Sequence, residues 1–342
     1  MLSNSLKDSF RLPFTVSHTK FRRGIGGLIK MLSNSLNNLS CYTTASVKRY
    51  LYYMKHILLF SISCLLAVAA FAGAPTRMNI SQAIQQNIIT VTAVTTGSSY
   101  TQQGLRLTIK NNGSLNFIVI MNQGVIFKPD SAGYQPLILA GEETLLLAPL
   151  KEAQVNVQTF CADSRQSAPV KGLTYTFAKT SGDTLVKVLG YIKQNRLYNS
   201  LGQSAVWHFT NGHDLNSVYD AGNDFASKKL QDFIVNLTGQ KRPEYFTQPA
   251  ISATPGQAVY NPKTLKIYAS FDEKFDAPKT LTLGVFNQQG EMIQPVFENR
   301  IHGAAGHRFR VEFSAKDVPA GKYYIRLKEG DAILRETMVE VK

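Results

Sequence analysis

The stretch HRFRVEF, His307–Phe313, alternates apolar and polar side chains without a break. A period of two puts Phe309, Val311 and Phe313 on one face of a strand and the charges on the other. The pattern repeats in LKIYASF (Leu265–Phe271), TLTLGVF (Thr280–Phe286), KYYIRL (Lys322–Leu327) and TMVEVK (Thr337–Lys342), with a turn signal at Gln288-Gln289-Gly290. Five to seven short strands in about 80 residues predict a small β-sandwich over 263–342.

Upstream, Met78 to about Phe160 also reads as β. GLRLTIK (Gly104–Lys110) alternates, Asn111-Asn112-Gly113 is a turn signal, and apolar runs follow at Leu115–Met121, Val125–Lys128, Leu137–Ala140 and Thr144–Ala148. Ala153–Phe160 reads as one further strand. The period then changes. Leu185, Val188, Leu189 and Ile192 have helical spacing, Ser200–Phe209 reads as a second helix stopped near Asn211-Gly212, and Asn223–Leu237 as a third. The third is expected to put Phe225, Leu230, Phe233, Ile234 and Leu237 on one apolar face and to stop at Gly239. Residues 241–262, with four prolines and little periodicity, read as a linker. The fold class is therefore mainly β with helical additions (α+β). A β-sandwich-based domain with about three helices spans 73–240, and a second sandwich spans 263–342.

The chain has 342 residues with 37 Lys+Arg against 23 Asp+Glu, but the excess is uneven: residues 1–72 carry a net +8 and 73–342 a net +6. Within the first part, Met54-Lys55-His56, the 16-residue apolar run Ile57–Ala72 and the ending Ala70-Phe71-Ala72 have the order of a secretory signal peptide over 54–72, cleaved before Gly73. The run is short for a span, so no transmembrane segment is expected after cleavage; a signal anchor, with Lys48, Arg49 and Lys55 upstream, is the alternative. Residues 1–53 are basic, Ser/Asn-rich and repeat MLSNSL at Met1–Leu6 and Met31–Leu36. They read as a non-structural extension upstream of a start at Met54, with an organelle transit peptide as the alternative. The expected localisation is secreted, periplasmic or outer cell surface. Cleavage removes Cys41 and Cys64 and leaves Cys161 alone, which excludes an internal disulfide.

Searches for metal and cofactor motifs fail: there is no Cys-x-x-Cys, His-Glu-x-x-His, phosphate-binding Gly-rich loop or Gly-x-Ser-x-Gly. No metal and no cofactor are expected. The part after the signal has no basic helix or aromatic-basic stripe, so nucleic acid is not an expected partner. Two segments remain: FCADS (Phe160–Ser164) at a strand end and QSAVW (Gln203–Trp207) in the first turns of a helix. A Cys and a Gln held in contact and shielded from water can condense into a thioester, which a nearby amine or hydroxyl then opens.

The ordered pair FCADS and QSAVW, with PVKGLTY (Pro169–Tyr175) between, resembles bacterial thioester domains, which are surface adhesion modules. Gly202 stands where that family has a hydrophobic residue. The resemblance implies a Cys161–Gln203 thioester, supported by Phe160, Asp163, Trp207 and His208, that captures a surface target bearing an amine or hydroxyl. Such capture is one covalent event and not enzymatic turnover. FNQQGEMI (Phe286–Ile293), AGHRFRVEF (Ala305–Phe313) and VPAGKYYIRL (Val318–Leu327) resemble two immunoglobulin-like C-terminal modules: the flagellar-hook-scaffold-like module and the type IX secretion sorting domain of Bacteroidota. The second implies contact with a secretion machinery.

Blander readings stand beside these. Ser200-x-x-Gln203 is also a capping box, in which Gln203 serves a helix N–H. A lone Cys161 is equally at home as inert core in a non-covalent surface module. A third reading makes Cys161 the nucleophile of a secreted hydrolase or acyltransferase, with His208 or His213 as base and Asp214 or Asp220 orienting it.

Overall fold

Alternating burial builds the sheets of this computed structural model, which describes residues 49–59, 75–97, 103–251, 256–257 and 260–342. The chain forms two units, Met1–Ala74 and Pro75–Lys342. In the first, residues 49–59 are helical (α1), with Tyr52 and His56 in ring contact one turn apart. No described helix is long and apolar enough to cross a membrane. Ala70, Ala72 and Gly73 of the expected cleavage site, Cys41, Cys64 and the MLSNSL repeats lie outside the described residues.

The second unit is mainly β with helices. It starts with β1 (Thr76–Asn79), α2 (Ile80–Gln85), β2 (Ile89–Thr95), β3 (Leu105–Asn111), β4 (Phe117–Met121) and β5 (Val125–Pro129). Then come β6 (Leu137–Leu139), β7 (Glu143–Leu147), β8 (Glu152–Val157), β9 (Thr159–Cys161) and β10 (Thr174–Thr180). A seven-stranded sheet has the order β8-β3-β2-β10-β5-β6-β9, and a three-stranded one β1-β4-β7. Residues Leu105, Leu107 and Ile109 of β3 and Phe117, Val119 and Met121 of β4 share one core. The chain was expected to run as one strand from Ala153 to Phe160, but it breaks at Gln158. β8 pairs with β3 while β9 pairs with β6, so consecutive strands lie at opposite edges of the same sheet. One residue can join those edges only because the sheet curls into a half-barrel and brings them together. The reading of Met78–Phe160 as wholly β also misses α2, a short helix that buries Ile80 and Ala83 three residues apart.

Three helices cover the outside of the sheet near β9: α3 (Asp183–Gln194), α4 (Ser200–Asn211) and α5 (Asp224–Thr238). They sit where the helical periodicity placed them. Leu185, Val188, Leu189 and Ile192 of α3 pack with Leu201, Ala205 and Val206 of α4 and Leu230 and Ile234 of α5 in a second core, against Ile126, Ile138 and Phe160 from the sheet. Gly239 closes α5 in the left-handed conformation, φ 71°. Phe225 departs from expectation: it is 74% exposed, because it stands in the first turn beyond the reach of the core.

The remaining strands are β11 (Tyr245–Ile251), β12 (Tyr260–Lys274), β13 (Lys279–Phe286), β14 (Met292–His302), β15 (Gly306–Ser314), β16 (Gly321–Glu329) and β17 (Ala332–Val341). They form a sheet β11-β12-β15 and an antiparallel sheet β14-β13-β16-β17. Ile267, Phe309, Val311 and Phe313 from the first share a core with Leu283, Val285, Ile325, Leu327 and Val339 from the second. β11 falls inside the stretch read as a linker. Its Pro249 is tolerated because the strand is at a sheet edge and the register shifts on both sides of that residue.

Candidate functional site

The end of β9 and the start of α4 bring the two conspicuous segments together. Cys161 pairs with Leu137 of β6 on one side, and β9 is the last strand of the sheet. Its other edge would be left without partners. The Gln203 side chain fills that role: Oε1 accepts from the Cys161 N–H at 2.9 Å, and Nε2 donates to the Cys161 carbonyl at 2.8 Å. Gln203 is fully buried. Its carboxamide therefore acts as one residue of a neighbouring strand.

The capping-box reading is corrected by this geometry. The N-cap of α4 is Asn199, whose Oδ1 accepts from the Leu201 and Gly202 N–H groups at 3.1 and 3.3 Å. Gln203 is thus free to reach β9. Gly202 also finds its reason. A Cβ there would lie 2.1 Å from the Leu197 carbonyl oxygen and 3.0 Å from Phe160 Cζ, so a side chain would push α4 off the preceding loop.

Phe160 and Cys161 point to opposite sides of the strand. Phe160 enters the helix-side core beside Tyr198, and Cys161 enters the half-barrel core together with Trp207 and Tyr175. Burial pushes the Cys161 thiol up to about 12, so it is protonated at neutral pH. Tyr175 is raised above the usual phenol range by burial, and next by its proximity to the Cys161 and Tyr134 charges; its O–H donates to the Gln135 carbonyl at 2.9 Å. Trp207 has no exposed surface and packs against His213 and Tyr260 at ring-centroid distances of 5.7 and 5.9 Å.

A second set of bonds ties the ends of the same two segments. Asn211 Nδ2 donates to Asp163 Oδ1 at 3.0 Å, and Asn211 Oδ1 accepts from the Ser164 N–H at 3.1 Å. The Ser164 hydroxyl and His213 Nε2 are 2.9 Å apart. Eight residues of helix rise about 12 Å and three extended residues about 10 Å, so Gln203 and Asn211 are spaced to meet Cys161 and Ser164. Asn211, Ser164 and Asn199 were not read as site residues from the sequence. The Asn-Gly step at 211–212 was visible there only as a helix stop.

The residues of the cysteine-enzyme reading have partners other than Cys161. His208 Nδ1 is held on the His213 carbonyl at 2.6 Å, Asp214 takes part in an ion pair with Lys342, and Asp220 Oδ1 accepts from the Gly222 N–H. Neither histidine hydrogen-bonds to Cys161 among the described residues. No group of three His, Cys, Asp or Glu side chains is arranged to hold a metal among those residues. A groove of about 590 Å³ opens beside the segment after Cys161, between Ala162, Asp163, Arg165, Lys179, Phe209 and Asn211. No family model, no curated protein and no solved structure matches the chain.

Proposed function

We propose that this is an exported surface protein that captures a target covalently through an internal thioester between Cys161 and Gln203. The observation that carries this reading is the pair of hydrogen bonds joining the Gln203 carboxamide to the Cys161 backbone. In the step proposed, Cys161 Sγ attacks Gln203 Cδ, the C–S bond forms, the C–N bond breaks, and the thiol proton leaves on ammonia. The Cys161 N–H at Oε1 stabilises the charge that develops on that oxygen. Burial then protects the bond from hydrolysis. A target amine or hydroxyl entering from the adjacent groove displaces the sulfur and becomes joined to the Gln203 carbonyl. The capture is a single event without turnover.

In this reading residues 73–240 form the thioester-type domain. Residues 263–342 form an immunoglobulin-like sandwich that serves as a spacer or as a contact for the secretion machinery. A second reading is favoured by the same two bonds, since they also give Gln203 a complete structural role. The protein is then a non-covalent surface module with an inert Cys161. Intact mass separates the two. Freshly exported, amine-free protein should be lighter by one ammonia, methylamine should restore mass with an adduct on Gln203 and one free thiol, and Cys161→Ala should lack the deficit. Full mass with both side chains unmodified overturns the thioester and leaves the non-covalent module.

A further inference from the structure

A second site lies where α5 approaches the outer face of the β11-β12-β15 sheet. Alternation along β12 and β15 points Ile267, Phe309 and Val311 into the core and leaves Tyr268, Ser270, Asp272, Arg308, Arg310 and Glu312 outside. The register sets these outer residues in cross-strand pairs: Tyr268 with Glu312, Ser270 with Arg310, Asp272 with Arg308. Two of the charges are matched. Arg308 grips Asp272 with both Nε and Nη2, at 2.7 and 2.9 Å, and Glu312 pairs with Lys266. Arg310 faces Ser270 across the strand pair, and its charge also acts on Asp224 and Tyr219 on the opposite wall. Among the described residues it has no ion pair and no hydrogen bond.

A cavity of about 380 Å³ opens over this position, walled on the far side by Tyr219 and by Asp224 and Lys228 from α5. Its walls are tied to one another. Tyr219 stacks on Phe246 at 4.5 Å with an interplanar angle of 10° and leans on Tyr268 at 5.3 Å. The Tyr219 hydroxyl donates to Asp224 at 3.0 Å, and Asp224 is held by Lys228 at 2.9 Å. Small-molecule sites have this size and composition: aromatic walls, a few convergent polar groups, and a place at the meeting of two lobes. The carboxylates here already have partners, while the Arg310 guanidinium does not. That imbalance selects an anion, and a guanidinium best matches a planar carboxylate held by two parallel bonds. The Tyr219 and Tyr268 hydroxyls donate to Asp224 and Gln248, and the Ser270 hydroxyl accepts from Lys228, so their remaining lone pairs are what they offer to hydroxyl groups of a ligand.

We infer that this cavity binds a carboxylate-bearing sugar ring, with Arg310 on the carboxylate and the tyrosine and serine hydroxyls around the ring. The site shares no residue with the Cys161–Gln203 pair and does not depend on how that pair reacts. The test is a titration of the exported chain with sodium glucuronate, followed by backbone amide shifts, with glucose and acetate run in parallel. Glucuronate should shift the Tyr268, Ser270 and Arg310 signals saturably, and glucose and acetate should each bind at least tenfold more weakly. Arg310→Ala, at an exposed position, should weaken glucuronate by roughly tenfold or more. Arg308→Ala removes the same charge from the neighbouring pair and should leave affinity unchanged. Absence of saturable shifts overturns the inference, as does acetate or glucose binding as tightly as glucuronate. Equal weakening by the two arginine variants also overturns it, because net charge alone then accounts for the attraction.

Discussion

At the scale of single residues, Gln203 holds the free edge of β9 and, in the proposed function, also supplies the thioester carbonyl. Its carboxamide satisfies both backbone groups of Cys161, neither of which can reach water at that position. Gln203→Ala strands a buried N–H and a buried C=O, each costing about 1–3 kcal/mol, so stability should fall by about 2–6 kcal/mol in denaturant unfolding. Gln203→Glu is more informative. A protonated carboxyl keeps one acceptor and one donor in the same places, whereas a carboxylate has no donor and brings a buried charge. Burial raises the folded-state pKa of such a Glu above its unfolded value, so the variant should be close to the parent near pH 4 and lose stability progressively as pH rises. Equal stability of Gln203→Ala and the parent would show that the pairing contributes nothing to the fold. That this pair meets was legible in FCADS and QSAVW. Its hydrogen bonding was not, because Ser200-x-x-Gln203 fits a capping box equally well and only the side chain of Asn199 decides between them.

Elements show the same division between local and distant information. The helices were readable from helical apolar spacing in α3 and α5 and from the glycine stops after α4 and α5. The break at Gln158 was not readable, since its cause is the meeting of two sheet edges far apart in strand order. Nor was β11, whose Pro249 breaks the alternation that would have announced a strand. Gly202 belongs to this scale as well, for it sets how closely α4 approaches the Leu197 turn. With a Cβ built 2.1 Å from a backbone oxygen, Gly202→Ala cannot be accommodated by a rotamer change. The helix must shift, at about 1–3 kcal/mol, despite the better helix propensity of Ala. Because the next residue is Gln203, the shift should also lower the fraction of exported protein that lacks one ammonia. A variant as stable as the parent, with an unchanged mass profile, would mean that the Leu197 turn yields at no cost.

For the whole molecule, the deciding contacts are those no local pattern announces. His213, after the end of α4, lies against Tyr260 at the start of β12 with ring centroids 4.2 Å apart, and its Nε2 meets the Ser164 hydroxyl. One imidazole thereby touches the half-barrel, the helices and the C-terminal sheets. Burial lowers its pKa below the ordinary 6.5; Asp214 opposes that shift, and Arg165, His208 and Lys342 add to it. His302, on β14, is also lowered, by burial and then by His307 and Arg300, and its Nε2 is buried without a partner. For both, the unfolded chain takes up a proton at a higher pH than the folded one. Their contribution to stability is complete above about pH 6.5 and is lost as pH falls through the folded-state values. Denaturant midpoints should accordingly be level from pH 8 to 7 and decline from about 6.5 toward 5, before the carboxylates titrate. His213→Gln keeps a hydrogen-bonding group for Ser164 but cannot titrate, so it should flatten part of the decline and leave the part due to His302. Stability that rises between pH 7 and 5, or a slope unchanged in His213→Gln, would remove His213 as the acid-sensitive contact between the helices and the C-terminal sheets.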